Sequence, residues 1–409
     1  MITIARRTLL KHLGLAGLSA SAAAAFPSLS LAAAPTERRF VVVLLRGAMD
    51  GLSAVPPHGD PSYAKARGPI AIGSPGSGEG AALKLDGLFA LHPRLKAMKA
   101  LYDADEAAVV HAVASPYRDR SHFDGQDVVE NGGAAPKQQT DGWLNRALKG
   151  YGRKDANRAL AVSQAMPLIL TGSEQVSSWT PPRLPTADED YFTRVRRMYQ
   201  GDGELGQVLE DALATRAMAQ GAMQEDSGRM ARPGAYGGGQ LSVLTRPAGA
   251  LLRADQGARF AVLDPGGWDT HANQGAAQGT LAQRLGDLDD GLAALKDALG
   301  PVWADTVVVV VTEFGRTVAV NGSNGTDHGT ASAAFVLGGA VRGGQVVADW
   351  PGLAPGQQFQ GRDLNPTFDM RALFKTALVG HMGLEEGFVD REVLKGGPKV
   401  AAIGELLRS

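Results

Sequence analysis

Five short segments concentrate carboxylates, imidazoles and glycines, and each lies beside an apolar run able to position it. The first is Leu45-Arg-Gly-Ala-Met-Asp-Gly51, with Asp50 in a glycine-containing turn that lets backbone approach a ligand. The second, Arg118-Asp-Arg-Ser-His-Phe-Asp124, offers Ser121 or His122 as the cap of a helix beginning near Asp124. A helix start also presents free N–H groups to an anion. In the third, Asp264-Pro-Gly-Gly-Trp-Asp-Thr-His271, Asp269 and His271 share one face of extended backbone. The fourth, Thr312-Glu-Phe-Gly-Arg-Thr317, carries Glu313 and Arg316, and the fifth, Gly325-Thr-Asp-His-Gly-Thr-Ala-Ser332, carries Asp327 and His328. Carboxylates and imidazoles meeting in one crevice suit a divalent transition metal such as zinc or manganese. A planar guanidinium from Arg118, Arg120 or Arg316 suits a phosphate-like group. Taken alone, Asp50 can organise its turn, Glu313 can pair with Arg316, and Asp327 can cap the segment after it. The case for a site is therefore joint. His271 and His328 stand in that setting, whereas His92, before Pro93, and His381, in a C-terminal helical stretch, read as structural.

The elements that must bring these segments together read as alternating strands and helices. Apolar runs occur at Phe40–Leu45, Ala107–Val113, Leu168–Leu170, Phe260–Leu263, Thr306–Val311 and Ala334–Leu337. Runs apolar on both faces suit interior strands of a parallel sheet covered by helices. Leu281, Leu285, Leu288, Leu292, Leu295 and Leu299 recur at steps of three and four, which makes a core-facing helix ended by Gly300-Pro301. The spacing predicts an α/β fold, a mostly parallel sheet sandwiched by helices over residues 38–405. Residues 188–240 read as a helical insertion or cap with a Gly-rich loop at Gly234–Gly239. In such a sheet ligands bind beyond the carboxyl ends of the strands, where the five segments would converge.

Other chemistries are absent or misplaced. Gly201-Asp-Gly-Glu-Leu-Gly206 fits a dinucleotide fingerprint but comes after a helical stretch instead of a strand. The chain has no phosphate-binding Gly-x-x-x-x-Gly-Lys-Ser/Thr loop, no Gly-x-Ser-x-Gly elbow and no His-Glu-x-x-His helix.

Residues 1–34 read as a twin-arginine export signal. Arg6 and Arg7 head it, Lys11 closes the charged region, and an apolar small-residue run extends to Ala34 without an acidic residue. Pro35 disfavours cleavage directly after Ala34, which sets the cut slightly earlier. Without Arg6, Arg7 and Lys11, 38 basic residues face 42 acidic ones, a net charge of −4 that offers nothing to nucleic acid. Cysteine is absent, and no later segment is apolar enough over sufficient length to span a bilayer. The expected setting is periplasmic or secreted, with the twin-arginine translocase as a partner.

The five segments, taken over essentially the whole chain, resemble an uncharacterised bacterial family of twin-arginine-exported proteins, a domain of unknown function grouped with the alkaline phosphatase and sulfatase superfamily. That resemblance implies an alkaline-phosphatase-like fold. It places Asp50 as a metal-binding Asp after the first strand, and Ser121 as the helix-capping nucleophile, with Ser115 second. Asp269 and His271 are similar to the Asp and His of one metal site, although that pair is normally spaced wider. Glu313-Phe314 stands where the superfamily usually carries Asp-His, and His328 corresponds to a later histidine with Asp327 beside it. Formylglycine chemistry is excluded by the lack of Cys and by the spacing of Ser115-Pro-Tyr-Arg118. The resulting expectation is a metal-dependent hydrolase or transferase acting on an anionic phosphate or sulfate ester. Its metal would be held by some of Asp50, Asp269, His271, Glu313, Asp327 and His328, with Ser121 as nucleophile and Arg118 or Arg316 as anion clamp. The alternative is a degenerate member that binds a ligand or envelope component.

Overall fold

The computed structural model describes residues 37–408 apart from 77, 152–157, 164, 181–188, 200–202, 231–240 and 256. The export signal and the Gly234–Gly239 loop lie outside the described residues.

The strands are β1 (Arg39–Leu44), β2 (Leu83–Lys84), β3 (Ala90–Leu91), β4 (Ala107–Ala114), β5 (Ala159–Val162), β6 (Ser177–Trp179), β7 (Phe260–Leu263), β8 (Thr306–Val311), β9 (Ser332–Leu337), β10 (Gln345–Val347) and β11 (Phe368–Asp369). Among the described residues the main sheet runs β10-β4-β9-β8-β1-β7-β5-β6, with β11 alongside β4. Valine-rich β1 and β8 and the apolar β7 pair in parallel through its centre. Alternation then divides their side chains between two cores. Val41 and Val43 join the cluster under the helices Lys96–Asp103, Ser242–Arg253 and Thr280–Leu299, while Phe40, Val42 and Leu44 join Trp143, Leu144 and Phe374 on the opposite face. The leucine repeat forms the helix Thr280–Leu299, with all six leucines buried. It packs along Ser242–Arg253, which in turn receives the helix Gly203–Met230.

One expected strand is corrected: Leu168–Leu170 is a 3₁₀ turn, because the run is only three residues long and follows Pro167, which has no N–H to give a ladder. The sheet is mostly parallel as expected, and the exception is strand β9, antiparallel to both β4 and β8. Its physical reason is the connection: residues 312–331 contain no helix to carry the chain across the sheet, so it turns back at the edge it has just left. That return matters for the site. It leaves Glu313, Arg316, Asp327 and His328 at the same edge as the ends of β1, β4 and β7.

No described helix is long and apolar enough to cross a membrane.

The histidines read as structural are buried and bonded to backbone. His381 Nε2 lies 3.0 Å from the Arg39 carbonyl, and His92 Nε2 3.0 Å from that of Ala276. Burial pushes the His381 imidazole from its ordinary 6.5 down to about 4. Unfolding must therefore take up a proton in that interval. The neutral ring contributes stability that is full above pH 6.5 and lost as pH falls toward 4. His381→Gln should flatten the acid limb of the stability curve by up to about 1.4 kcal/mol per pH unit. Urea midpoints at pH 7.5 and 5 measure this, and an unchanged slope would remove His381 from the acid response.

Candidate metal centre

Each of the five segments leaves or enters the sheet at its carboxyl edge, and three histidines meet there. His122 opens the helix His122–Asn131, capped by Ser121, whose Oγ accepts from the Asp124 N–H at 3.5 Å. His271 lies in the loop after β7, and His328 in the return before β9. Every one of them has its Nδ1 against an oxygen that can only accept. For His122 it is Glu313 Oε1 at 2.7 Å, for His271 Asp327 Oδ1 at 3.2 Å, and for His328 the Arg120 carbonyl at 2.9 Å. Neutral rings so held carry their proton on Nδ1 and present a lone pair at Nε2.

The Nε2 atoms point toward one another. His271 Nε2 and His328 Nε2 are 2.9 Å apart, and Asp269 Oδ1 lies 3.1 Å from the first and 3.5 Å from the second. His122 Nε2 is 3.4 Å from Asp269 Oδ2, and it is buried without a hydrogen bond. Ligand atoms of His122, Asp269 and His328 all fall within 4.8 Å of one another. Two facing lone pairs at 2.9 Å repel unless a cation or a proton lies between them. An orphaned nitrogen, two opposed nitrogens and a carboxylate form a donor set that fits zinc, with oxygen partners behind the rings as metal-binding histidines have.

Electrostatics favour the deprotonated forms of His328, Asp269 and Glu313, and the protonated form of His122. Burial, then the His122 and Arg316 charges, keep the His328 imidazole below its usual range. Burial works to raise the Asp269 carboxyl, but hydrogen bonding and charge from Arg316 outweigh it and hold the group low. Glu313 is nearly sealed. Burial again opposes ionisation, and the bonds from His122, Gln126 and Gly47 overcome it. The Glu313 bond in turn raises His122.

The residues singled out from sequence are not all at this cluster. Asp269, His271 and His328 are brought together. Glu313 and Asp327 stand one step back, orienting His122 and His271. Asp50 is set apart: it is fully buried and caps Gly51–Ala54. One oxygen accepts from the Leu52 and Ser53 N–H groups, the other from Ser53 Oγ, Gln274 Nε2 and the sealed Arg67 guanidinium. Arg316 is no anion clamp, since its donors go to the carbonyls of Gly47, Ala48, Trp268 and Thr326 and to Asp269. Arg118 likewise turns back on the carbonyls of Ser115 and Tyr117.

The sequence offers His122 only as a cap. The His122 ring packs on Phe314 at 4.9 Å and brings its imidazole to the cluster from across the crevice. Gly125 permits that approach, because a Cβ there would stand 3.0 Å from the Phe314 ring. Gly47 has φ +120°, and a Cβ on it would meet the Asp269 nitrogen at 2.6 Å, so the first segment can lie directly under the third.

With this geometry in view, residues 37–396 match the DUF1501 family, described as a protein of unknown function. The chain belongs to that family. No curated protein matches it. Solved structures similar to it include the lipoteichoic acid synthase LtaP from Listeria monocytogenes, at 10% identity over 88% of this chain and 76% of that one, TM-score 0.40. A phosphonate monoester hydrolase of Agrobacterium radiobacter shows 12% identity over 85% and 74%, TM-score 0.36. An alkaline phosphatase superfamily protein from Vibrio parahaemolyticus shows 12% over 79% and 67%, TM-score 0.33.

Removing Arg67 alone would leave the Asp50 carboxylate buried and unpaired. Arg67→Met should cost about 3–5 kcal/mol, and adding Asp50→Asn should recover a good part of it. Denaturant midpoints of the two single variants and the double variant measure the coupling. Additive losses would show that the pair does not act as a unit.

Proposed function

We propose that this DUF1501 protein is a metal-dependent hydrolase or transferase of phosphate or sulfate esters, built on one divalent ion, zinc or manganese. The observation that carries the reading is the convergence of three Nε2 atoms on Asp269, each ring held from behind at Nδ1. His122, Asp269, His271 and His328 would hold the ion, which supplies Lewis-acid polarisation of an ester oxygen. Glu313 and Asp327 keep the protons of His122 and His271 on Nδ1, so the Nε2 lone pairs stay available. Asp269 and His271 are 42% and 44% exposed, so the cluster opens to solvent on their side. Ser121, at the start of the helix that carries His122, is the candidate nucleophile. Free N–H groups of the first turn would stabilise charge on the transferring group.

A second reading has its own support. Asp50, the Asp after the first strand, is already neutralised by Arg67, which leaves no ligand there for a second ion. A protein with a single ion and no turnover would be an envelope binder.

Zinc titrated into metal-free protein should bind at one equivalent, and Asp269→Ala or His122→Ala should abolish tight binding. Glu313→Gln, which removes the carboxylate behind His122 Nδ1 without touching the Nε2 ligand atoms, should weaken it by about 10–100-fold. A panel of aryl phosphates, phosphodiesters and sulfates with Zn²⁺ or Mn²⁺ separates enzyme from binder. Ser121→Ala should lower turnover by roughly a hundredfold while costing only about 1 kcal/mol of stability as a lost cap. Metal binding without turnover of any ester would favour the binder, and full turnover in Ser121→Ala would remove the nucleophile assignment.

Export through the twin-arginine translocase to the periplasm belongs to the same proposal and rests on Arg6, Arg7 and the apolar run after them. Changing both arginines to lysine should leave full-length precursor inside the cell. Processed protein reaching the periplasm unchanged would refute that route.

A further inference from the structure

Resting on that metal-centre reading, we infer that Arg362 is the anion-binding guanidinium of the site and that its substrates are monoanionic esters, phosphodiesters or sulfate monoesters, in preference to dianionic phosphate monoesters.

The guanidiniums that the sequence offers for this task are committed elsewhere. Arg316 and Arg118 serve backbone carbonyls as described, and Arg120 is held by Asp363 Oδ2 and Gln360 Oε1. Arg362 differs. One of its nitrogens, Nη2, donates to the His328 carbonyl at 3.1 Å, which fixes the side chain beside a proposed ligand. Its Nε lies 3.4 Å from Asp363 Oδ1 without a hydrogen bond, and that oxygen is itself unsatisfied. Among the described residues Nη1 has no hydrogen-bond partner, and 41% of the side chain is exposed. It is a fork anchored at one tine and open at the other, at the rim of the cluster. An arginine in that state matches two oxygens of a phosphoryl or sulfuryl group, as a lysine point charge does not.

Charge balance then sets the substrate class. Three guanidiniums, Arg120, Arg316 and Arg362, stand against four carboxylates, Asp269, Glu313, Asp327 and Asp363. With neutral imidazoles and a divalent ion, the ensemble carries one net positive charge. A monoanion cancels it. A dianion leaves a surplus negative charge facing Asp269 and Asp327.

The test is a calorimetric titration of diethyl phosphate and methyl sulfate into wild-type protein and into Arg362→Gln and Arg362→Lys, each with and without zinc. Zinc affinity should be the same in all three proteins. Arg362→Gln should bind both anions at least tenfold more weakly, and Arg362→Lys should recover only part of the loss. In wild type, 4-nitrophenyl sulfate and bis(4-nitrophenyl) phosphate should have lower KM than 4-nitrophenyl phosphate, with the difference reduced in Arg362→Gln. Equal anion affinity in wild type and Arg362→Gln overturns the clamp, and a lower KM for the dianionic monoester overturns the substrate class. If zinc binds none of the proteins, the metal reading fails by itself. The clamp is then decided by the zinc-free titrations, where loss of anion binding in Arg362→Gln supports it and equal binding overturns it.

Discussion

The guanidinium of Arg316 ties together three stretches of chain that are remote in sequence. It is 1% exposed, and its donors reach the carbonyls of Gly47 and Ala48 after β1, of Trp268 after β7, and of Thr326 before β9, along with the Asp269 carboxylate. A charged group taken out of water must have its donors satisfied, and carbonyls left unpaired in the same place would each cost about 1–3 kcal/mol. None of these loops can shift without stranding the others. Asp269 is thereby fixed under the histidines, and the return loop that carries Asp327 and His328 is fixed against the loop that carries His271.

A second buried cation has a comparable role deeper in the molecule. Arg67 donates to the carbonyls of Thr317 and Val318 as well as to Asp50 and Ser53, and Gln274 links the same pocket to Thr270 and Thr326. The two arginines thus brace the return loop from both sides, Arg316 beneath the cluster and Arg67 beneath Asp50. Neutralising Asp50 with a tethered guanidinium removes any electrostatic need for an ion there. The cation demand of the site is left with Asp269, whose exposed carboxylate Arg316 only partly balances. This division explains how a loop rich in ligating residue types can build a single cluster of converging nitrogens.

Legibility in the sequence depends on whether a signal is local. The apolar run of β7, the valine run of β8 and the leucine helix are legible to the residue or nearly so, because burial on both faces or on one stripe is written in consecutive side chains. Strands β5 and β6 are not, since Ala159–Val162 and Ser177–Trp179 are too short to stand out from neighbouring apolar residues. The direction of β9 leaves no trace either: Ser332–Leu337 is buried on both faces whichever way it runs. At the site, the five segments announce themselves by composition, but their roles do not. Glu313 reads as a ligand until His122, 191 positions away, takes its oxygen. Asp50 reads as a ligand until Arg67 arrives from the helix Tyr63–Arg67. In each case the deciding partner is set by tertiary packing, which spacing along the chain does not encode.

The place of the His122 imidazole, at a helix start beside Phe314, also shapes the electrostatics of the crevice. A ligand at the end of a strand sits in a nearly neutral backbone environment, whereas His122 is the first residue of a helix, where the aligned peptide dipoles present positive partial charge. A cation at His122 Nε2 is disfavoured there by about 0.3–1 kcal/mol, and an anion is favoured by a similar amount. Glu313 answers the first effect: its buried carboxylate bonds His122 Nδ1 and returns negative charge to the ring. The second is left unanswered, and under the proposed function it would favour the negative charge of a bound ester. One dipole would therefore weaken the hold on a metal at His122 slightly and strengthen the hold on an anion at the helix start. Phe314 makes this arrangement possible, since its ring, and not a polar group needing a partner, fills the strand end and gives the His122 imidazole an apolar wall to lie against.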